Sequence, residues 1–143
     1  MLCGYQTNPA KYMKHADWLV HSALYEGMSN VVLEAMALSL PIICTDCAGT
    51  RELLTPERSA GDKVDHIILG QFGIVCRLDA DKNDIRDKRP TRGEKALAEA
   101  MILVLKQPEL KTHYSTASHK RAEAFGKERV INDWEQLLQE LTE

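Results

Sequence analysis

Two glutamates separated by seven residues carry most of the chemistry that this sequence offers. They lie in the stretch His21-Ser22-Ala23-Leu24-Tyr25-Glu26-Gly27-Met28-Ser29-Asn30-Val31-Val32-Leu33-Glu34-Ala35. An ionised carboxylate accepts hydrogen bonds strongly, which suits ligand hydroxyls. Between the two, Gly27 lets a ligand approach the backbone closely, and Ser29 or Asn30 is suited to cap a helix. The first amides of such a helix have no intrahelical partners and lie at the positive end of its dipole, where a phosphate binds readily. Glu34 is the only charged residue between Asn30 and Leu40, among apolar neighbours, so the helix is expected to be buried on most sides. Glu34 lies too far along to be the glutamate of a capping box, and its side chain tilts back toward the start of the helix. Two carboxylates flanking a phosphate-binding helix end suit a ligand with hydroxyls on both sides of a phosphate, as a sugar nucleotide has. The plainer alternative is a solvated Glu26 and a Glu34 held in a structural ion pair.

The elements that must position this stretch follow from pattern and punctuation. Met1–Gly4 reads as the end of a strand, and Asn8-Pro9 opens a short helix. Asp17–His21, with its Trp-Leu-Val, reads as a short buried strand and Ala23–Ser29 as a loop, followed by a helix over Asn30–Leu40 that Pro41 stops. Ile42–Thr45 is a strand, Thr50–Leu54 a helical turn after Gly49, and Gly73–Arg77 another strand. Thr55–Gln71 is irregular and polar, with Ile67-Ile68-Leu69 touching the core. Asp79–Lys95 holds 11 charged residues in 17 and reads as a solvated loop, with a basic ligand-binding loop as the lesser reading. Three helices close the chain, over Ala96–Lys106, Glu109–Phe125 and Lys127–Leu141. In the last, Val130, Trp134, Leu137, Leu138 and Leu141 form an apolar stripe, and Trp134 is expected to anchor it in the core. Strands alternating with helices indicate an α/β fold, a Rossmann-like, mainly parallel sheet of about four strands flanked by helices.

Composition narrows the classes further. The 143 residues carry a formal net charge of −3, which gives no reason to expect a nucleic-acid partner. No apolar run approaches the roughly 18 residues of a membrane-spanning helix, and the N-terminus does not read as a signal peptide. Cys44 and Cys47 form a C-x-x-C, a pattern of redox and zinc sites, but no second close pair exists to complete a zinc site, and the plainer reading is Cys44 as a small apolar residue on a buried strand. A reducing, cytoplasmic setting fits. His21 reads first as a packed strand residue and second as part of a cleft. His15, His66, His113 and His119 show no metal-ligand spacing. No G-x-G-x-x-G occurs, against a nicotinamide-dinucleotide dehydrogenase.

At Glu26-Gly27-Met28-Ser29-Asn30-Val31-Val32-Leu33-Glu34-Ala35 the sequence resembles the group 1, or family 4, retaining glycosyltransferases of the GT-B fold, whose signature is E-G-x-x-N-x-x-x-E-A. The flanks agree: Gly4-Tyr5, Ala16-Asp17, Pro41-Ile42-Ile43 with Thr45-Asp46, Gly49 with Glu52-Leu53, and Gly73-Ile74-Val75 each resemble a family segment in the family's order. The resemblance covers most of the chain and is weakest across Thr55–Gln71 and the charged segment. It implies that residues 1–143 are part of the C-terminal, donor-binding domain, without the N-terminal acceptor domain and without the Arg/Lys pair that grips the diphosphate. It further implies that Glu26 contacts the donor sugar and acts in catalysis, that Glu34 binds the ribose, and that amides of Gly27, Met28, Ser29, Asn30 and Val31 hold the diphosphate. The implied reaction transfers a hexosyl group, with retention, from a UDP- or GDP-sugar to a glycan or lipid-linked acceptor.

No cofactor and no metal are expected, helix amides and basic residues doing the work of a cation on the leaving diphosphate. The isolated chain is expected to be inactive, and to self-associate or take up a complementing N-terminal domain through an unpaired sheet edge. The full-length enzyme is expected to be cytoplasmic, peripheral at the inner membrane face. The rival reading is a non-catalytic module with the same fold that binds a nucleotide sugar or a protein. A sugar-nucleotide epimerase of the same two-domain fold fits less well around Glu26–Glu34.

Overall fold

A computed structural model describes residues 2–58, 62–79 and 89–142. Its centre is a four-stranded sheet in the order β1-β2-β4-β3, formed by β1 (Leu19–His21), β2 (Ile42–Thr45), β3 (Ile67–Leu69) and β4 (Ile74–Cys76). β1, β2 and β4 run parallel, with His21 opposite Cys44 and Thr45 opposite Cys76. The carboxyl ends of all three therefore emerge along one edge of the molecule. β3 joins antiparallel, with Ile68 opposite Val75. The Ile67-Ile68-Leu69 run, expected only to touch the core, is thus a true edge strand, closed onto β4 by a turn in which Gly70 N–H donates to Gly73 O at 2.9 Å.

The described residues form six helices: α1 (Ala10–Met13), α2 (Asn30–Ala37), α3 (Ala48–Leu54), α4 (Arg92–Lys106), α5 (Glu109–Glu123) and α6 (Lys127–Glu140). Because strand side chains alternate between faces, Ile42, Cys44 and Val75 meet Val32, Ala35 and Met36 of α2 and Leu53 and Leu54 of α3 on one side. Ile43, Ile74 and Cys76 meet Ala96, Ala100 and Val104 of α4 and Tyr114 of α5 on the other. Both faces of β2 are covered, which is why it reads as an unbroken apolar run. Small alanines on α4 let that helix lie close to the sheet. The expected Rossmann-like α/β layering holds.

Several boundaries differ from expectation for identifiable reasons. α2 ends at Ala37, before Pro41 is reached. Leu40 N–H donates to Ala35 O at 2.9 Å and Ser39 N–H to Met36 O at 3.0 Å, with Ser39 at φ 59°. These two bonds make a Schellman motif with serine in the left-handed position that glycine usually takes. Residues 2–4 form no strand, and Gly4 is left-handed at φ 60°. α3 begins two residues earlier than expected because Cys47 serves as its cap. Its amide donates to Thr50 Oγ1 at 3.2 Å, and its thiol accepts from the Thr50 amide.

α4 also starts early, at Arg92, inside the segment expected to be a solvated loop through Lys95. Thr91 Oγ1 accepts from Glu94 N–H at 3.1 Å while Glu94 Oε2 accepts from Thr91 N–H at 2.6 Å, a reciprocal capping box. Asp79, just beyond β4, adds a second cap by accepting from Gly93 N–H at 2.7 Å. A side chain at Gly93 would strike the Arg77 carbonyl, so only glycine lets the helix start approach the strand end this closely. The remainder of the charged segment, residues 80–88, lies outside the described residues, as does the basic-loop reading of it.

The Asp79 carboxyl is held below the usual carboxylate range. The hydrogen bond from Arg77 is the main cause, burial opposes it, and the Gly93 amide supports it. A depressed folded-state pKa stabilises at pH above the unfolded value, and that contribution is lost as pH falls through the folded one. Asp79→Asn should therefore lower stability at neutral pH, and the gap to wild type should close as pH drops below about 4, the ordinary aspartate range. Urea unfolding at pH 7 and pH 3 checks this; an equal gap at both would refute it.

α6 carries the largest correction. None of its residues is buried, and Trp134, expected in the core, is 61% exposed. Its stripe of Val130, Leu137, Leu138 and Leu141 is likewise exposed. Amphipathic spacing identified the helix and its apolar face but not what covers that face. Among the described residues, no helix is long and apolar enough to cross a membrane.

Candidate functional site

The site is built at the carboxyl ends of the parallel strands, where loops after β1, β2 and β4 converge. This is the position where open α/β sheets take ligands. The loop after β1 is pinned at both ends. Near its start, Thr45 Oγ1 donates to Ala23 O at 2.5 Å and Cys47 Sγ donates to the same oxygen at 3.1 Å. Near its end, Ser29 Oγ lies 3.4 Å from His21 Nε2, and Ser29 is buried. Between the pins Leu24, Tyr25 and Met28 project into solvent.

Glu26 occupies this loop, its Oε1 3.3 Å from His21 Nε2 and its side chain about a third exposed at 31%. It lines a cleft of about 490 Å³ with Tyr25, Gly27, Asp46, Ala48 and Leu78. His21 thus fits the first of its readings and is not itself among the residues lining this cleft. It is a hydrogen-bonded strand residue, and it reaches the carboxylate at the cleft. Gly27 has a backbone φ outside the left-handed region, and a side chain built on it would meet nothing within 4 Å. Neither its turn nor its packing demands glycine; what glycine provides there is a bare backbone facing open space.

The contact behind Gly27 is tight. A side chain at Gly49 would collide with the Gly27 carbonyl, so the first turn of α3 presses on the back of the loop. Thr50 holds that turn by donating its hydroxyl to Thr45 O at 2.8 Å. Asp46 closes the far side by taking both Nε and Nη2 of Arg51 at 2.7 Å each, a bidentate pair.

α2 starts at Asn30 with Ser29 as its N-cap residue, yet the Ser29 side chain makes no capping bond because it turns to His21. Leu33 N–H is the first in this helix to reach a carbonyl, that of Ser29 at 3.1 Å. The amides of Asn30, Val31 and Val32 precede it and have no intrahelical acceptor. Sequence reasoning assigned the cap to Ser29 or Asn30. The structure instead leaves this helix end without a side-chain cap. Glu34 lies one turn further on and is exposed, not enclosed by apolar neighbours. It makes no ion pair or side-chain hydrogen bond among the described residues, so the structural-pair alternative finds no support there.

Sequence reasoning missed the roles of Thr45, Cys47 and Thr50. The C-x-x-C drew attention as a redox or zinc pattern, but Cys44 is a buried strand residue and Cys47 a helix cap. Burial pushes the Cys44 thiol well above its ordinary range, raises Cys47, and pushes Cys76 up to about 12. Protonated thiols are poor nucleophiles and poor metal ligands. Among the described residues no cluster of three or more histidine, cysteine or acidic side chains is arranged to hold a metal ion.

Comparison with known proteins bears on the fold and the family. A family profile described as "Glycosyl transferases group 1" matches residues 1–69. An uncharacterized glycosyltransferase of Methanocaldococcus jannaschii is 38% identical over 142 residues, covering 96% of this chain and 35% of that protein. The N-acetylgalactosamine-N,N'-diacetylbacillosaminyl-diphospho-undecaprenol 4-alpha-N-acetylgalactosaminyltransferase of Campylobacter jejuni is 28% identical, covering 93% of this chain and 30% of that one. The chain thus spans about a third of the length of these relatives. A chain from the crystal structure of a GtfA/B complex superposes with a TM-score of 0.68 at 19% identity, covering 94% of this chain and 23% of that one. At that identity the likeness shows the fold. The signature from Glu26 to Glu34, the profile match over residues 1–69 and relatives similar over nearly the whole chain together support the likeness of this chain to the group 1 glycosyltransferases.

Proposed function

We propose that this chain provides the donor side of a sugar-transfer enzyme, binding a UDP- or GDP-sugar at the Glu26 cleft and the start of α2. The observation that carries this reading is the conjunction at one helix end: uncapped amides at Asn30–Val32, an open Gly27 backbone, and two accessible carboxylates, Glu26 and Glu34. Phosphate oxygens meet the amides of Gly27, Met28, Ser29, Asn30 and Val31. Glu26 accepts from sugar hydroxyls and Glu34 from the ribose. The leaving diphosphate gains negative charge as the glycosidic bond breaks, and helix-end amides stabilise it without a metal ion. His21 holds the Glu26 carboxylate in place. The hexosyl group passes, with retention, to a glycan or lipid-linked acceptor. The acceptor-binding domain is supplied by further sequence or by a complementing chain, in a cytoplasmic enzyme peripheral at the membrane.

Amide chemical-shift mapping with UDP, GDP and their common sugar conjugates tests the placement. Shifts centred on Gly27–Val31 are expected, and shifts centred on another surface would discard it. A transfer assay on the purified 143-residue chain, given the same donors and a lipid-linked acceptor, should yield no product. Turnover by the chain alone would contradict the need for a second domain.

A further inference from the structure

Beside the Glu26 cleft lies a second cavity, of about 700 Å³, whose arginines the proposed donor chemistry does not use. Gly27 and Ala48 belong to the walls of both. The second cavity is lined by three arginines, Arg51, Arg58 and Arg121, against one acid, Glu52. This concentration of positive charge occurs on a chain whose net charge is −3.

The three guanidiniums are not equivalent. Arg51 is engaged by Asp46. Arg121, on α5, lies over the rings of Phe72 at 5.3 Å and Phe125 at 4.9 Å, and donates to Leu53 O at 3.3 Å and Glu52 O at 3.1 Å. Its position is therefore set by stacking and by the carbonyls at the end of α3, while its charge meets no carboxylate among the described residues. Arg58 also makes no ion pair there, and its Nε is buried with no hydrogen-bond partner. A buried donor without an acceptor is unfavourable, more so when the group is charged. Two unneutralised planar guanidiniums, one already immobilised and one with an orphaned N–H, match the oxygens of a phosphate group.

We propose that this cavity is a separate anion site that takes a phosphate group, with Arg58 as the principal ligand and Arg121 as its pre-positioned partner. It adjoins the donor site, sharing Gly27 and Met28 with it, but its arginine ligands take no part in the donor reading, and neither the amides of Asn30–Val32 nor Glu34 belongs to it. The phosphate belongs either to a soluble molecule or to a lipid headgroup, and the test separates the two.

The test is an NMR titration of the 143-residue chain, following the Arg58 Nε–H and the amides of Gly49 and Glu52, which line this cavity and lie outside the donor loop. One arm uses inorganic phosphate, the other short-chain phosphatidic acid with phosphatidylcholine of equal chain length as the control. Saturable shifts at these positions in either arm are expected, at least tenfold weaker in Arg58→Gln and unchanged in Glu34→Ala. A response to inorganic phosphate assigns a soluble source; a response to phosphatidic acid alone assigns a lipid. Should Arg58→Gln not fold, Arg58→Lys, which keeps the charge but loses the fork, should weaken binding without abolishing it. No shift in either arm, binding that survives Arg58→Gln, or shifts confined to Asn30 and Val31 would each overturn the proposal.

Discussion

Gly49→Ala is expected to lower the thermal unfolding midpoint by about 6–12 °C. The added Cβ would collide with the Gly27 carbonyl, a backbone atom that no side-chain rotation can move. Relief requires the first turn of α3 and the loop after β1 to separate. That separation strains the Thr50–Thr45 and Cys47–Ala23 hydrogen bonds that hold them together. Overpacking of this kind costs about 1–3 kcal/mol and occasionally more, and rigid backbone on both sides puts this case at about 3. For a chain of this size each kcal/mol moves the midpoint by roughly 2–4 °C, which gives the range above. Gly27→Ala is the informative companion, because a side chain there meets open space. Its midpoint should stay within about 2 °C of wild type, as ordinary surface substitutions do, while donor binding weakens. A midpoint for Gly49→Ala equal to that of Gly27→Ala would show that the loop and α3 are not in contact as described.

Substituting the two carboxylates should separate the two ends of the donor. Glu34→Ala is expected to weaken bare nucleotide and sugar nucleotide alike, because the ribose is common to both. Glu26→Ala should weaken only the sugar conjugate, bringing it toward the affinity of the bare nucleotide. A hydrogen bond to a charged group contributes about 1.5–3 kcal/mol, so each loss should be roughly ten- to hundredfold. Neither substitution should unfold the chain, since Glu34 is exposed and Glu26 faces the cleft. Equilibrium binding of the four ligand–variant combinations checks this. Identical losses for bare nucleotide and conjugate in Glu26→Ala would remove the sugar-contact role.

How far these features were legible in the sequence depends on the range of the interaction. Leu19–His21, expected to be buried, is an edge strand with no buried residue, whereas the central parallel strands Ile42–Thr45 and Ile74–Cys76 were readable because buried apolar runs punctuated by Pro41 and Gly73 are local signals. The loop-to-helix step at Gly27–Asn30 was readable for the same reason. The end of α2 was not, because Ser39 takes a left-handed conformation that its identity does not announce. The start of α4 was present as Thr91-x-x-Glu94 but was masked by the surrounding charge. Trp134 misled because periodicity reports an apolar face and says nothing of its occupant. The pins on the site loop, Thr45 and Cys47 to Ala23, join residues more than twenty positions apart, and no local pattern encodes them. Glu26 and Glu34 were identifiable by type and spacing, but the accessibility of Glu34 required the fold.

The most direct test of the donor-site account is one calorimetric titration of wild type and Glu34→Ala, side by side, with UDP, GDP and their common sugar conjugates. The account expects saturable one-site binding of one nucleotide series by wild type, weakened at least tenfold in the variant. A folded wild-type chain that binds none of them, or binding that Glu34→Ala leaves intact, would contradict it.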